Sequence, residues 1–181
     1  MEQVSKKGGV VTGTSNPALS VATLFAERDA SRRRDKESAE VLQRSKEEEL
    51  AEYRKRLDNF KLTDDIISAG LARIRRAFEH GETELMFSSF PSDFCTDGGR
   101  ALLNAGTPPI NKPSKEEAAR QAENPDWLTT LPGGVKVVFD YWKENLRPGG
   151  FKFSARIINY PGGKPGDVGL FFSWPKSGLE S

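Results

Sequence analysis

The sequence predicts an α+β fold, in which a small antiparallel or mixed sheet of about three strands carries helices on one face and follows a long charged helix. Three observations support this fold class. Residues 18–59 contain no proline or glycine, two later segments repeat apolar residues at helical spacing, and two further segments alternate apolar and polar residues on either side of a turn. In residues 61–181 the resulting order is helix, strand, helix, strand, strand.

Composition restricts the possible functions. The 181 residues include 27 Lys and Arg against 26 Asp and Glu, and a net charge of +1 argues against a generally basic nucleic-acid-binding protein. A single Cys and a single His exclude an internal disulfide and a Cys/His zinc site, and we predict no metal or cofactor. No stretch reaches the roughly 18 apolar residues of a membrane span, so we expect a cytoplasmic protein.

The N-terminal third predicts a disordered tail over residues 1–15 and a helical arm over residues 16–60, with Asn16-Pro17 at the helix start. Near the end of the arm, four apolar residues follow the 3-4-3 spacing typical of a coiled coil. We predict that this stripe binds a protein partner or a second copy of the chain: Leu50, Tyr53, Leu57 and Phe60. If the arm folds back on the domain, the same residues are core.

The compact domain, residues 61–181, begins with a helix. Thr63-Asp64-Asp65 places capping and acidic side chains at its start, and His80-Gly81 suits its end. Between them, four apolar residues recur at helical spacing and predict one buried stripe: Ile67, Leu71, Ile74 and Phe78.

A strand is predicted over residues 82–90, stopped by Pro91. The following residues, 92–130, are irregular, with a short helix near 100–104 and a surface insertion at about 107–125. Within the insertion, Ser114 and Glu117 have the spacing of a capping box.

The last part of the domain predicts an amphipathic helix and a hairpin. Residues 135–146 place apolar side chains on one helical face, whereas 151–160 and 168–174 alternate as strands do. The connection at 161–167 is rich in Gly and Pro, which favours an antiparallel pair.

Two loops are candidate ligand sites. Asp97-Gly98-Gly99-Arg100 leads into a helix, where backbone N–H groups and Arg100 could bind an anion, although Asp97 could simply cap the helix. The 161–167 turn departs from the phosphate-binding pattern and could be a recognition loop or an ordinary hairpin connection. The candidate ligand-binding residues are Asp97, Gly98, Gly99, Arg100, Gly163, Lys164 and Asp167.

Three segments, Phe90–Ala101, Leu146–Gly150 and Ile157–Leu170, resemble parts of small bacterial proteins of unknown function. The resemblance extends over about residues 64–175 and leaves out the charged helix. It implies a bacterial cytoplasmic origin and brings no activity, ligand or catalytic residue with it.

The sequence contains no catalytic constellation, so we predict a non-enzymatic interaction or accessory protein that self-associates through the arm. The first alternative is a small enzyme or ligand-binding domain, with its site in loops 91–110 and 161–167. The second is nucleic-acid binding through Arg32–Arg34 and Arg73–Arg76, where interspersed acidic residues disfavour phosphate.

Overall fold

A computed structural model of the protein describes residues 20–106 and 113–176. By its internal contacts the chain divides into two units, Met1–Glu49 and Leu50–Ser181, and we call the second unit the body. The predicted α+β fold is confirmed, because helices accompany a three-stranded antiparallel sheet. The predicted tail at 1–15 and part of the predicted insertion, residues 107–112, lie outside the described residues.

The long charged helix, α1, spans Val21–Asp58, which is about 57 Å at 1.5 Å per residue. The Ser20 hydroxyl accepts a hydrogen bond from the Thr23 N–H and caps the helix, while the predicted start at Asn16-Pro17 lies outside the described residues. No residue of α1 is buried. The last turns, from Leu50 onward, belong to the body.

Helix α2, Asp64–Glu79, begins and ends where the sequence predicts. The Thr63 hydroxyl accepts from the Ile66 N–H, and Gly81 takes a left-handed φ of 79° after the helix. The predicted burial of its stripe is only partly correct. Ile74 is buried, but Leu71 and Phe78 remain 41% and 63% exposed, although the Phe78 ring lies 6.3 Å from that of Trp174.

The sheet has the order β1-β3-β2, with β1 at Glu84–Pro91, β2 at Lys152–Ile157 and β3 at Asp167–Ser173. The predicted hairpin is confirmed as the antiparallel pair β2–β3, and β1 pairs with the other side of β3. The central strand is the most deeply buried of the three, as its continuous apolar run requires.

The remaining helices pack around this sheet. Helix α3 spans Arg100–Gly106, and α4 spans Lys115–Glu123, where the Ser114 hydroxyl accepts from the Glu117 N–H as the capping box predicts. Helix α5, Gly133–Tyr141, continues as one wide π turn to Leu146, so the predicted helix at 135–146 is correct in extent but not uniform in its winding.

The apolar core lies on one face of the sheet and is rich in aromatic rings. Phe153 of β2 lies 5.4 Å from the Phe139 ring of α5 and 5.7 Å from the Phe172 ring of β3. Edge-to-face and offset arrangements of this kind add to the free energy gained from burial. A second cluster of buried residues joins the start of α5 to the loop after β1: Phe90, Phe94, Cys95, Leu102, Leu131, Val135, Val168 and Leu170.

The opposite face of the sheet is covered by side chains. Arg156 of β2 places its guanidinium 3.6 Å from the centre of the Phe171 ring and donates to the Glu84 carboxylate of β1, one N–O distance being 3.0 Å. Gly169 makes room for this ring, since a Cβ there would lie 2.7 Å from Phe171. The three strands are thus linked across this face by one ion pair and one cation–π contact.

Candidate functional site: an apolar cavity in the body

A cavity of about 590 Å³ opens in the body between the last turns of α1, helix α2, the sheet and α5. Its floor is apolar and includes Val135 of α5 and Leu170 and Phe172 of the sheet, all buried. Ile67, Leu71 and Ile74 of α2 line it from the other side. The cavity explains the incomplete burial of the α2 stripe, because part of that stripe faces empty space instead of the core.

Two glycines place the end of α1 directly against the start of α5. A Cβ at Gly134 would lie 2.6 Å from the Phe60 Cβ, closer than real Cβ atoms approach one another, so only glycine fits there. The N–H of Gly133 donates to the Asp58 carboxylate at 3.3 Å, an acidic group at a helix N-terminus. These contacts fix one wall of the cavity.

Further contacts hold α1 and α2 to β1. The Tyr53 hydroxyl of α1 donates to the Ser89 carbonyl at 2.6 Å. On α2, the Arg73 guanidinium donates to the carbonyls of Phe87 and Met86 at 3.3 and 3.2 Å. Both helices are therefore tied to the same strand, with the cavity beside it.

The charge around the cavity has one sign. Arg56 and Arg73 are the charged residues of its described lining, which contains no Asp or Glu. Neither arginine forms an ion pair with a carboxylate in the described part of the chain. Both residues are exposed and also line the cavity.

The predicted partner-binding stripe divides in the structure. Leu50 is 46% exposed, whereas Tyr53, Leu57 and Phe60 are half-buried and line the cavity. Tyr53 also packs edge-on against Phe94 at 5.6 Å. Three of the four residues therefore contact the body of their own chain, which is the alternative that the sequence left open. Binding of a partner by these four residues stays a prediction.

The first predicted ligand loop is organised as a helix cap. The Asp97 carboxylate accepts from the N–H groups of Gly99 and Ala101 at 3.0 and 2.6 Å, while Arg100 is exposed. Gly98 and Gly99 take left-handed φ angles of 65° and 83°. The N–H groups of Gly99 and Ala101 are thereby satisfied inside the loop.

The second predicted ligand loop is closed by its own hydrogen bonds. The Asp167 carboxylate accepts from the Asn159 amide at 2.7 Å, Lys164 is exposed, and Gly163 has a left-handed φ of 77°. The two loops meet at Ser92, which donates through its backbone N–H to Gly166 and through its hydroxyl to Pro165. None of the seven predicted ligand residues lines the apolar cavity.

The single cysteine and histidine lie in different settings. Cys95 is buried among apolar residues, and this burial, with the nearby carboxylates of Asp97 and Asp93, raises the pKa of its thiol to about 11. His80 caps the exposed end of α2. A thiol with a raised pKa is a weak nucleophile.

Among the described residues, no group of His, Cys, Asp and Glu side chains is arranged so that it could hold a metal ion. None of the helices in those residues is long and apolar enough to cross a membrane. The chain matches no family model, no curated protein and no solved structure.

Sequence reasoning missed the cavity and its arginines, although it identified the apolar stripes of α1 and α2 that line it. Paired glycines at the start of a helix, Gly133-Gly134, are a signal of close backbone approach, and Gly70 interrupts an otherwise apolar helix face. Arg56 and Arg73 are single members of charged segments, so nothing local distinguishes them from their neighbours. Arg56 and Arg73 are seen to line one cavity only in the structure, where α1 and α2 pack beside the same strand.

Proposed function

We propose that the body is a binding module that holds a largely apolar small molecule in its cavity. One observation carries this proposal: a concavity of about 590 Å³ with an apolar floor and few polar groups. Ligand sites typically enclose about 300–1,000 Å³ and combine apolar walls with a small number of polar contacts. The described lining contains no carboxylate, histidine or cysteine, which favours binding over acid–base or thiol chemistry.

Burial of apolar surface would drive the binding of such a ligand. Leu71 and Ile66 line the cavity and are each 41% exposed, so a molecule seated there removes their apolar surface from water. Each buried Å² contributes roughly 25 cal/mol. A ligand at one hundred times its Kd raises the free energy of unfolding by about 2.7 kcal/mol, which thermal denaturation detects.

A substitution that places a large side chain in the cavity tests this proposal. Gly70 lines the cavity on α2, and a Cβ there would meet no heavy atom within 4 Å. We expect the full chain to bind the neutral apolar dye Nile red saturably, and Gly70→Phe to abolish this binding. Ala72→Phe is the matched control, because Ala72 is exposed on the same helix and does not line the cavity.

Circular dichroism establishes that both variants are folded before the dye titrations are compared. Nile red binding that is equal in Gly70→Phe and the native chain would show that the dye occupies another surface, and the proposal would fail. The absence of saturable binding to the native chain would reject it as well.

A second candidate function, self-association through the arm, rests on the exposure of α1. Val21, Phe25 and Val41 have more than half of their surface exposed, and no residue of the helix is buried. Because helices in proteins owe most of their stability to packing, a second copy covering these residues would stabilise the arm. Light scattering on the full chain tests this. We expect a dimer that Val41→Glu with Leu42→Glu converts to a monomer, and a native monomer at high concentration would contradict it.

A further inference from the structure

We infer that the ligand of the apolar cavity is a single-chain amphipathic anion, with its alkyl tail on the apolar floor and its anionic head at Arg56 and Arg73. This inference rests on the binding function proposed above and names the class of ligand. It follows from the charged residues of the lining, which are both cationic and both exposed.

The lining combines deeply buried apolar residues with exposed cationic ones. Val135 and Leu170 are each 1% exposed and form the floor, whereas Arg56 and Arg73 are exposed. A neutral apolar ligand would need no cation in the lining. A cationic ligand would meet two like charges, which is unfavourable in a partly desolvated site.

The state of Arg56 supports an anionic head group. Two residues earlier on the same helix, Arg54 pairs with Asp58, one helical turn away. Arg56 forms no such ion pair in the described part of the chain, although the exposed Glu52 lies one helical turn before it, and its guanidinium lies 6.0 Å above the Tyr53 ring. The unpaired guanidinium can bind an incoming anion, and guanidinium groups match carboxylates in geometry.

Arg73 is held in place without being neutralised. Its two hydrogen bonds to the carbonyls of Phe87 and Met86 orient the guanidinium beside the edge of β1. A guanidinium carries five N–H donors, so three further donors remain for a ligand oxygen. A positioned cation loses little conformational entropy on binding, which strengthens the contact with an anion.

Isothermal titration calorimetry on the full chain tests the inference with three probes of the same chain length, the charged ones kept below their micelle-forming concentrations and the neutral one below its solubility in water. The probes are dodecanoate, dodecanol and dodecylammonium. We expect one dodecanoate to bind per chain about tenfold more tightly than dodecanol, as one charge-assisted contact of roughly 1.4 kcal/mol implies. We expect dodecylammonium to bind most weakly.

Paired variants locate the head group. Arg56→Gln and Arg73→Gln should each weaken dodecanoate binding several-fold and leave dodecanol unchanged. Lys55→Gln and Arg75→Gln are the matched controls, because each removes a neighbouring exposed cation that does not line the cavity. Arg73→Lys keeps the charge if the loss of its two hydrogen bonds unfolds the glutamine variant.

The outcomes separate the two proposals. Equal affinities for dodecanoate and dodecanol, or equal losses in the variants and their controls, would overturn the anionic head group while leaving an apolar cavity that binds. Binding of dodecylammonium above dodecanoate would overturn it too. If no probe binds and Nile red binding does not respond to Gly70→Phe, the binding function itself fails.

Discussion

Helices α2 and α5 carry the same kind of apolar stripe, yet the protein covers the stripe of α5 and leaves that of α2 partly exposed. In α5, Val135 and Phe139 are at most 2% exposed, whereas in α2 Leu71 and Phe78 are 41% and 63% exposed. Both stripes follow helical spacing equally well. Periodicity therefore identifies the face of a helix that avoids water, but not what covers that face. The cavity beside α2 is the direct consequence.

We expect the largest difference in the free energy of unfolding when one phenylalanine of each helix is replaced by alanine. Phe139→Ala should lower the free energy of unfolding by about 3–5 kcal/mol, because it empties a packed aromatic site. Phe78→Ala should cost less than about 1 kcal/mol, since Phe78 is mainly in water and contacts one ring, Trp174, at 6.3 Å. Urea unfolding gives both values. Equal losses would show that α2 is packed as tightly as α5 and would remove the contrast.

Much of the fold could be predicted because its signals are local. The limits of α2 follow from Thr63 and Gly81, and the β2–β3 hairpin follows from alternation around a turn. The cavity could not be predicted, because it depends on where α1 ends relative to α5, a contact between residues more than 70 positions apart. The candidate loop around Asp97 illustrates the same limit, since both its functional and its capping interpretation fit one sequence.

A single added methyl group should disrupt the contact of α1 with α5. Gly134→Ala should destabilise the body by about 1–3 kcal/mol, because its Cβ has no space beside Phe60. The same substitution at Gly70, which faces the cavity, should stabilise the chain by about 0.5–1 kcal/mol through helix propensity. Thermal denaturation of the two variants measures this opposite sign. A stabilising Gly134→Ala would mean that α1 and α5 lie further apart than described.

The stability of the buried cluster around α5 should depend on pH at high pH, because Cys95 packs in the cluster that includes Val135 of α5. Its pKa is raised, to about 11, so the folded protein resists forming the thiolate. Stability from this group is complete below the ordinary thiol pKa of 9.0 and decreases as the pH rises towards 11, by up to roughly 2 kcal/mol. Urea unfolding across this range measures the decrease. Cys95→Ala should have a flatter profile, and an unchanged slope in that variant would assign the decrease to other groups.

The outer face of the sheet shows a third way to cover apolar surface, and its expected effect is the smallest. Phe171 is buried and carries Arg156 over its ring, and the hydrogen bond from Arg156 lowers the pKa of the Glu84 carboxyl. A lowered pKa adds stability above the ordinary value of 4.5, and that stability is lost as the pH falls through the folded pKa. Because both side chains are partly exposed, Glu84→Gln should cost less than about 1 kcal/mol at neutral pH.

Two variants at acidic pH distinguish the contribution of the Glu84–Arg156 ion pair from that of Arg156 covering the Phe171 ring. Glu84→Gln should match the native stability at acidic pH, where the carboxyl is protonated in both states, whereas Arg156→Ala should remain less stable because it uncovers Phe171. Urea unfolding at two pH values distinguishes them. Equal behaviour of the two variants at acidic pH would show that the arginine contributes charge alone.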